Sequence, residues 1–455
     1  MTNANGNSLE PYSKKKFLFI TISALVCDIA RIIFNEGNDV KFFTSEASQK
    51  DIGDGFVPKI DNWEKEVDWA DVIIFDDVLG QGSIAEELRK KGKYVIGGTK
   101  YTDMLEDDRS FGQEELKKFG VPILPYQIFN SCESAIEFVK NNPAKYVIKD
   151  TQNNDETFEN NSFHTQEQYK NIKKFLFVGD EESGQDIIQV LEAYSKIAHN
   201  MGFFQLQKKV NGVEVAVGAF FNGNEFLYPI NVNFEHKKLF PGNIGPSTGE
   251  MGTSMFWSMP NKIFNLTLKK LEKKLAEEHY VGYIDINCIV NGNGIYPLEF
   301  TTRFGYPTIF IQQEGITMPM GEFFYRLAKG EKFEIKTKKG FQVGVRIIMP
   351  PYPFDDVPTF NLYSKEAIII FKKKNYEGVH TEDAKLLNGE WVVAGDNGVV
   401  LTITGSGPSM KQAQAQAYNR VDNILIPNMY YRKDIGDRWF EDSDKLHTWG
   451  YLREF

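Results

Sequence analysis

Two carboxylates flank a turn in the segment Gly282–Arg303, GYIDINCIVNGNGIYPLEFTTR. Asp285 stands on the first of two β-type runs and Glu299 on the second. Between them, Asn291-Gly292-Asn293-Gly294 signals a hairpin, because Asn and Gly tolerate the positive φ of tight turns. Pairing the runs through that turn brings the two acids close together. Adjacent carboxylates repel unless a cation lies between them, and hard oxygen ligands suit Mg²⁺. Taken alone, the hairpin is equally consistent with two unrelated surface acids.

Length and composition set the frame that must position this hairpin. A chain of 455 residues predicts two to four domains, at about 100–200 residues each. With 42% hydrophobic and 25% charged residues it can build ordinary cores. The 62 acids outweigh the 52 bases, for a formal charge of −10. That balance argues against nucleic acid or an anionic membrane as the main partner, while leaving room for a local basic pocket. Cys27, Cys132 and Cys288 show no metal-type spacing, and so sparse and odd a set fits a reducing compartment. The opening MTNANGNSLEPYSKKK lacks the apolar core of a signal peptide. No apolar run approaches the ~20 residues of a membrane span. The expectation is a soluble, cytoplasmic protein, a monomer or small homo-oligomer acting on small molecules.

Short apolar runs alternate with helical patterns through the first hundred residues. KKFLFITISA, the run near Val40–Thr44, VIIF at Val72–Phe75 and Tyr94–Ile96 read as strands. Val26–Asn35 and Ile84–Lys91 read as helices between them, a βαβ pattern that predicts a parallel sheet. A helix over Ser110–Phe119 ends at Gly120-Val121-Pro122. Tyr126–Phe129 and Tyr146–Lys149 read as strands around a helix at Glu133–Asn141. The stretch Thr151–Tyr169 is polar and aperiodic, the pattern of a loop. Several β-type runs fill Phe203–Phe234, and one long amphipathic helix is expected over Ile263–Glu278. After Gly340 the pattern is β-rich (Val343–Ile348, Glu366–Phe371, Val399–Ile403), closing with a helix at Met410–Asn423 and a strap-like aromatic stretch, Trp439–Tyr451.

Five blocks occur in one order: IGGTKYTDMLEDDRSF, VIKD, GPSTGEMG, PLEFTTRFGYPT and NMYYRKDIG. In these the chain resembles the glycinamide ribonucleotide synthetase (phosphoribosylamine–glycine ligase) family of the ATP-grasp superfamily, from about Lys15 to Gly436. The resemblance implies an α/β multidomain fold. Residues 1–98 would form a Rossmann-like N-terminal substrate domain. Residues 99–335 would form a two-lobed ATP-grasp body, with lobes holding 123–205 and 206–335, and residues 336–455 a small β-rich C-terminal domain and tail. It also implies ATP and Mg²⁺ (or Mn²⁺), a glycine or other carboxylate activated as an acyl phosphate, and a phosphorylated amine acceptor.

Site residues follow from the same resemblance. Glu299 matches a metal-binding glutamate, with Asp285 and Thr301 completing the expected metal set. Lys149 of VIKD and Arg109 would face the nucleotide phosphates, and Lys149 and Arg303 form the expected catalytic pair. Gln207 and Lys208 stand where the family has an acidic pair beside adenine, and Glu214 is placed to accept from ribose. Lys237, Lys238, Ser247, Thr248 and Gly249 would hold the acceptor phosphate, and Arg303 would meet the substrate carboxylate or transferred phosphoryl group. His236 is left outside the catalytic set.

Four departures bear on the substrate. Thr21-Ile22-Ser23-Ala24-Leu25 replaces the Gly-rich loop after the first strand. The polar stretch Thr151–Tyr169 replaces a Gly-rich flap, and Thr301 replaces a metal-binding Asn. Tyr306-Pro307-Thr308 replaces Asp-Pro-Glu, which predicts a carboxylate substrate without an amino group if those acids hold the glycine ammonium. Three readings follow: the purine-synthesis ligase itself, a ligase on the same scaffold with another acid or amine, and a nucleotide-binding regulatory protein.

Overall fold

The computed structural model describes residues 13–150, 176–197 and 203–452. The polar stretch expected as a loop at 151–169 lies outside them. Strands β1 (Lys16–Thr21), β2 (Asp39–Thr44), β3 (Val72–Phe75) and β4 (Val95–Ile96) form a parallel sheet in the order β2-β1-β3-β4. Sheets of this kind are covered on both faces, and the alternation of β1 divides its side chains accordingly. Phe17 and Phe19 join one apolar cluster, and Leu18 and Ile20 join another on the opposite face.

A second sheet is antiparallel, with β5 (Tyr126–Phe129), β6 (Tyr146–Asp150), β7 (Leu176–Val178) and β8 (Phe204–Lys208) in the order β5-β8-β6-β7. The helices Cys132–Asn141 and Gln185–Ile197 pack on it around Ala135, Val139, Ile148, Ile187 and Leu206. The largest sheet is antiparallel throughout. It contains β9 (Val213–Asn222), β10 (Ile230–Glu235), β13 (Gly252–Ser258), β14 (Val281–Asn291), β15 (Gly294–Thr301), β16 (Phe341–Ile348), β18 (Val379–Thr381) and β21 (Val399–Gly407). A hairpin of β11 (Lys238–Phe240) and β12 (Ile244–Ser247) stands off it. The short β17 (Ile370–Phe371), β19 (Ala384–Leu387), β20 (Glu390–Val393) and β22 (Ile424–Leu425) form two small ladders. The order β15-β14-β9-β10-β13-β16-β21-β18 shows that C-terminal strands extend the same sheet that carries the carboxylate hairpin.

Three expectations are corrected. The helix read over Ile263–Glu278 is broken into Lys262–Leu266, a short 3₁₀ turn and Glu272–Glu277. Thr267 leaves helical geometry at φ −123°, ψ −97°, and its hydroxyl donates back to the Ile263 carbonyl at 2.7 Å, the local competition that disfavours Thr inside helices. The strand read over Glu366–Phe371 shrinks to Ile370–Phe371, with Glu366 left-handed at φ 59°. The aromatic stretch contains a further helix, Trp439–Thr448, whose Trp439 ring packs edge-on against Phe234, Phe256 and Phe341.

One buried carboxylate ties the N-terminal sheet to the C-terminal strands. Asp28 Oδ1 accepts from Arg31 Nη2 at 2.6 Å and from the Thr381 N–H at 3.0 Å, and Oδ2 meets His380 Nδ1 at 2.7 Å. Burial opposes its charge, but Arg31 and His380 hold the carboxyl well below the usual range. A group so depressed contributes stability above its unfolded pKa and loses it only in strong acid. Asp28→Ala leaves Arg31 and His380 without their carboxylate and is expected to cost about 3–5 kcal/mol. Urea denaturation at neutral pH measures this, with the loss shrinking as the pH is lowered below about 4.

Candidate active site

The site begins with an irregularity in the carboxylate hairpin. From the turn, Asn291 pairs with Gly294 and Cys288 with Pro297. Continued unbroken, that register would set Glu299 opposite Ile286. Pro297 cannot donate to a ladder, and bulges are where sheets accommodate such a residue. A bulge intervenes between Cys288 and Asn287, so Glu299 pairs with Asn287 and Thr301 with Asp285. The carbonyls of Pro297 and Leu298 accept instead from Gln113 Nε2 at 3.4 and 3.3 Å. The sequence-level expectation of Asp285 beside Glu299 is thus corrected: Asn287 lies directly opposite Glu299, and Asp285 lies diagonally beyond, on the same face.

At the centre of this face sits a lysine. Lys237 Nζ lies 3.0 Å from Glu299 Oε1, 3.0 Å from Glu214 Oε1 and 3.3 Å from Glu235 Oε2. Burial alone would lower its pKa, but Glu299, Glu235 and Glu214 together raise it well above the ordinary lysine value. In return Lys237, aided by Arg109, overrides burial and holds Glu299 down at about 2. Asn287 Nδ2 donates to Glu214 and Glu235 at 3.1 Å each, while its carbonyl Oδ1 is buried without a hydrogen-bond partner. The remaining acids are in excess. Glu235 is raised by burial and by Glu214 and Glu299, and Asp285 is pushed up to about 8 by burial and then by Glu235.

Cations enter this face from the smaller sheet and from the helix Arg109–Lys118. Arg109 Nη2 reaches Glu299 Oε2 at 3.4 Å. Lys149, on β6, donates to Gln207 Oε1 on β8 at 2.7 Å. Gln207, in place of an acid, keeps the lysine oriented without fixing its charge. Burial lowers Lys149 to about 8, with Arg109 and Lys237 adding to the effect against Glu299 and Glu214. Lys208 is exposed and its N–H is donated to the Pro125 carbonyl, so that donor is used within the fold.

The other expected residues divide. Lys238 Nζ donates to Ser247 Oγ at 3.0 Å on the exposed β11–β12 hairpin. Thr248 closes onto the Lys237 carbonyl with its N–H and hydroxyl, at 2.8 and 2.9 Å. Beside Gly249 a Cβ would meet open space. Thr301 bonds to Asp285 rather than facing Glu299. Arg303 is held by Glu106, whose Oε1 receives its Nε at 3.1 Å, and by the Phe304 carbonyl at 3.0 Å. His236 is buried and its Nε2 accepts from the Gly436 N–H at 3.1 Å. Burial and then Arg432 push its pKa down to about 3, so it stays neutral and structural.

Three residues of this constellation escape a sequence reading: Glu235, Asn287 and Glu106. Period-two counting from Asp285 marks Asn287 as sharing its face, and Glu235 precedes the His236-Lys237-Lys238 run. Nothing in the sequence marks Glu106 as the partner of Arg303, 197 residues away.

An antiparallel small sheet facing a larger sheet, with a lysine from one and a glutamate from the other in the cleft, defines an ATP-grasp protein. The model of the phosphoribosylglycinamide synthetase ATP-grasp (A) domain matches residues 107–309, and that of the same synthetase's C domain matches residues 343–438. Together these cover about two thirds of the chain, which belongs to the phosphoribosylglycinamide synthetase family. It is 23% identical over 381 residues to the phosphoribosylamine–glycine ligase of Streptococcus pneumoniae, covering 80% of this chain and 82% of that one. It is 26% identical over 372 residues to that of Clostridium acetobutylicum, covering 78% and 81%. The solved phosphoribosylamine–glycine ligase of Thermotoga maritima superposes with a TM-score of 0.66 at 20% identity, over 92% of this chain and 100% of that one. Among the described residues, no helix is long and apolar enough to cross a membrane.

With Lys149 near 8, its charge is present below that pH and lost above it. ATP affinity is expected to fall as the pH rises from about 7 to 9.5. Lys149→Arg, which stays charged, should flatten that dependence, and Lys149→Ala should weaken binding at every pH. Calorimetric titration across this range measures all three.

Proposed function

We propose that the chain is an ATP-dependent, ADP-forming ligase that joins glycine to phosphoribosylamine, giving glycinamide ribonucleotide and phosphate in cytoplasmic purine synthesis. The observation that carries this reading is Glu299 held ionised in a cleft between Lys237, Arg109 and Lys149, in a chain of this family.

The chemistry has two displacements. A glycine carboxylate oxygen attacks the γ-phosphorus and the bond to ADP breaks. The amine then attacks the acyl carbon, the amide forms as the nitrogen gives up a proton, and phosphate departs with the acyl C–O bond broken and takes up that proton. Triphosphate charge repels the first nucleophile, so catalysis rests on positioning and neutralisation. Lys149 and Arg109 neutralise phosphate oxygens, Glu214 accepts from the ribose hydroxyls, and Gln207 with the backbone around Lys208 borders the base. Lys238 with Ser247 and Gly249 holds the acceptor phosphate, and Arg303 faces the carboxylate. Thr248, bonded to the Lys237 carbonyl, shapes the loop, and Lys237, expected to join them, is held by Glu214, Glu235 and Glu299.

A divalent cation fits this donor set. Mg²⁺ binds through few protein oxygens and keeps its other positions for water and phosphate. Glu299 and the orphaned Asn287 Oδ1, on paired strands, would supply the protein ligands, with Asp285 and Thr301 behind them. Among the described residues no three acidic, His or Cys side chains form a ready-made cage. When bound, the ion would shield the charge of the β- and γ-phosphates. Residues 1–98 would then bind substrate and residues 99–335 the nucleotide, with 336–455 adding β16, β18 and β21 to the sheet that carries Glu299.

The test is Mg²⁺-dependent ADP release with glycine and phosphoribosylamine generated in situ, each omitted in turn. Release that requires both, with glycinamide ribonucleotide detected by mass, is expected; ADP release with other acids but not glycine would reassign the substrate. Asn287→Ala should weaken activation by Mg²⁺ about 10–100-fold, read by Mg²⁺ titration of the ADP-release rate.

A further inference from the structure

In the C-terminal part of the chain, β17 and β22 pair so that Ile370 stands opposite Leu425 and Phe371 opposite Ile424. Side chains alternate across such a ladder, and an antiparallel ladder with one face on a core normally carries polar residues on the other. The inner face follows that rule. Ile369 and Ile424 are buried, and the Phe371 ring lies 5.1 Å from that of Trp391. The outer face breaks it. Ile368, Ile370 and Leu425 occupy the outward positions and are each nearly half exposed.

The helix Val357–Tyr363 leads directly into this strand and adds to the same surface. Phe360 alone of its residues is buried, while Leu362 is 73% exposed and Phe354, just before the helix, 65%. The Lys365 N–H donates to the Phe360 carbonyl at 3.0 Å and the Ala367 N–H to the Ser364 carbonyl at 3.1 Å, a tight turn that sets Tyr363 close to Ile368. Apolar surface gathered in this way is uncommon on a face that meets only water, and it marks a site of association.

Charge identifies what associates. The segment carries opposite charges at its two ends: Asp355 precedes the helix, and Lys372-Lys373-Lys374 follow β17. Lys372 is tied to the Asp422 carbonyl. Asp355, Lys373 and Lys374 are exposed and carry no ion pair among the described residues. An acidic end, an apolar middle and a basic end complement a second copy turned about a two-fold axis. Each acid then meets the lysines of the other copy, and the apolar middles meet each other, which is the self-complementary pattern of two-fold interfaces. An anionic membrane fits less well, because it would repel Asp355 and a chain of net charge −10. A partner of one sign satisfies one end of the surface and is repelled by the other.

We infer that this face is a two-fold interface between two copies of the chain, with Ile370 and Leu425 at its centre and Asp355 of each copy against Lys373 and Lys374 of the other. The interface uses none of the residues placed in the nucleotide cleft, so it stands whatever acid and amine the cleft accepts.

Sedimentation equilibrium of the full chain at micromolar concentration reads whether its mass is that of one copy or two, and a dimer is expected. Ile370→Asp should weaken the dimer at least about 30-fold. Asp355→Lys alone, or Lys373→Glu with Lys374→Glu, should each weaken it at least about tenfold. The three reversals combined should restore it, because each end then meets its opposite again. An unchanged far-ultraviolet circular dichroism spectrum shows that each variant is folded. A parent chain that stays a single copy overturns the inference, as does a dimer that Ile370→Asp leaves intact. A dimer that ignores the charge reversals, or that the combined reversal does not restore, overturns the two-fold arrangement.

Discussion

Everything in the cleft depends on one ammonium group among three carboxylates. Glu214, Glu235 and Glu299 come from β9, β10 and β15, and Lys237 from the end of β10, so the cluster spans strands that are far apart in the chain. Without a cation at its centre the low dielectric of the cleft would force these acids to take up protons. With it, Glu299 remains ionised. The same ammonium explains why the neighbouring acids are raised: one positive charge does not satisfy Glu235, Asp285 and Glu250 as well. The site is electrostatically incomplete in a direction that favours a further cation.

The far side of that cluster is braced by the C-terminal segment. Arg438 donates to the backbone carbonyls of Glu235 and Glu214 at 2.7 and 2.6 Å. Arg432, wholly buried, donates to the Lys238 carbonyl at 2.8 Å and is paired with Asp434. The guanidinium fork suits such work, because it holds several acceptors in one plane without losing its charge. The following helix, Trp439–Thr448, drives its first residue into the aromatic cluster behind β10 and β13. The aromatic tail is thus a strap in the plain physical sense, and it holds the strands that present the carboxylates.

The departures from the family pattern read differently once they are folded. At the end of β1, Ala24 adopts φ 57°, and in the loop after β3 Leu79 adopts φ 40°. A glycine would enter this region freely, whereas these residues store about 1–3 kcal/mol each. Both turns therefore hold a left-handed backbone at a cost without glycine at these positions. Tyr306, where the resemblance leads one to expect an acid, donates its hydroxyl to Asp76 on another element.

What the sequence by itself determined is the class of protein and most of its elements. Apolar runs of strand length alternating with helical periodicity specify a parallel sheet, and the Asn-Gly turn specifies the hairpin that carries Asp285 and Glu299. The long helix at 263–278 was not legible, since Thr267 breaks it through a hydroxyl bond that periodicity does not encode. Nor was the pairing of Glu299 with Asn287. Only the bulge after Pro297 turns Glu299 onto the face of Asn287, and a one-residue shift in register moves a side chain to the other face of a sheet. The partnership of Arg303 with Glu106, the cluster about Lys237 and the approach of Asp76 to Tyr306 were decided by the tertiary structure alone. Charges act through space over a few ångströms, and the chain brings those residues within that range only after its sheets have packed.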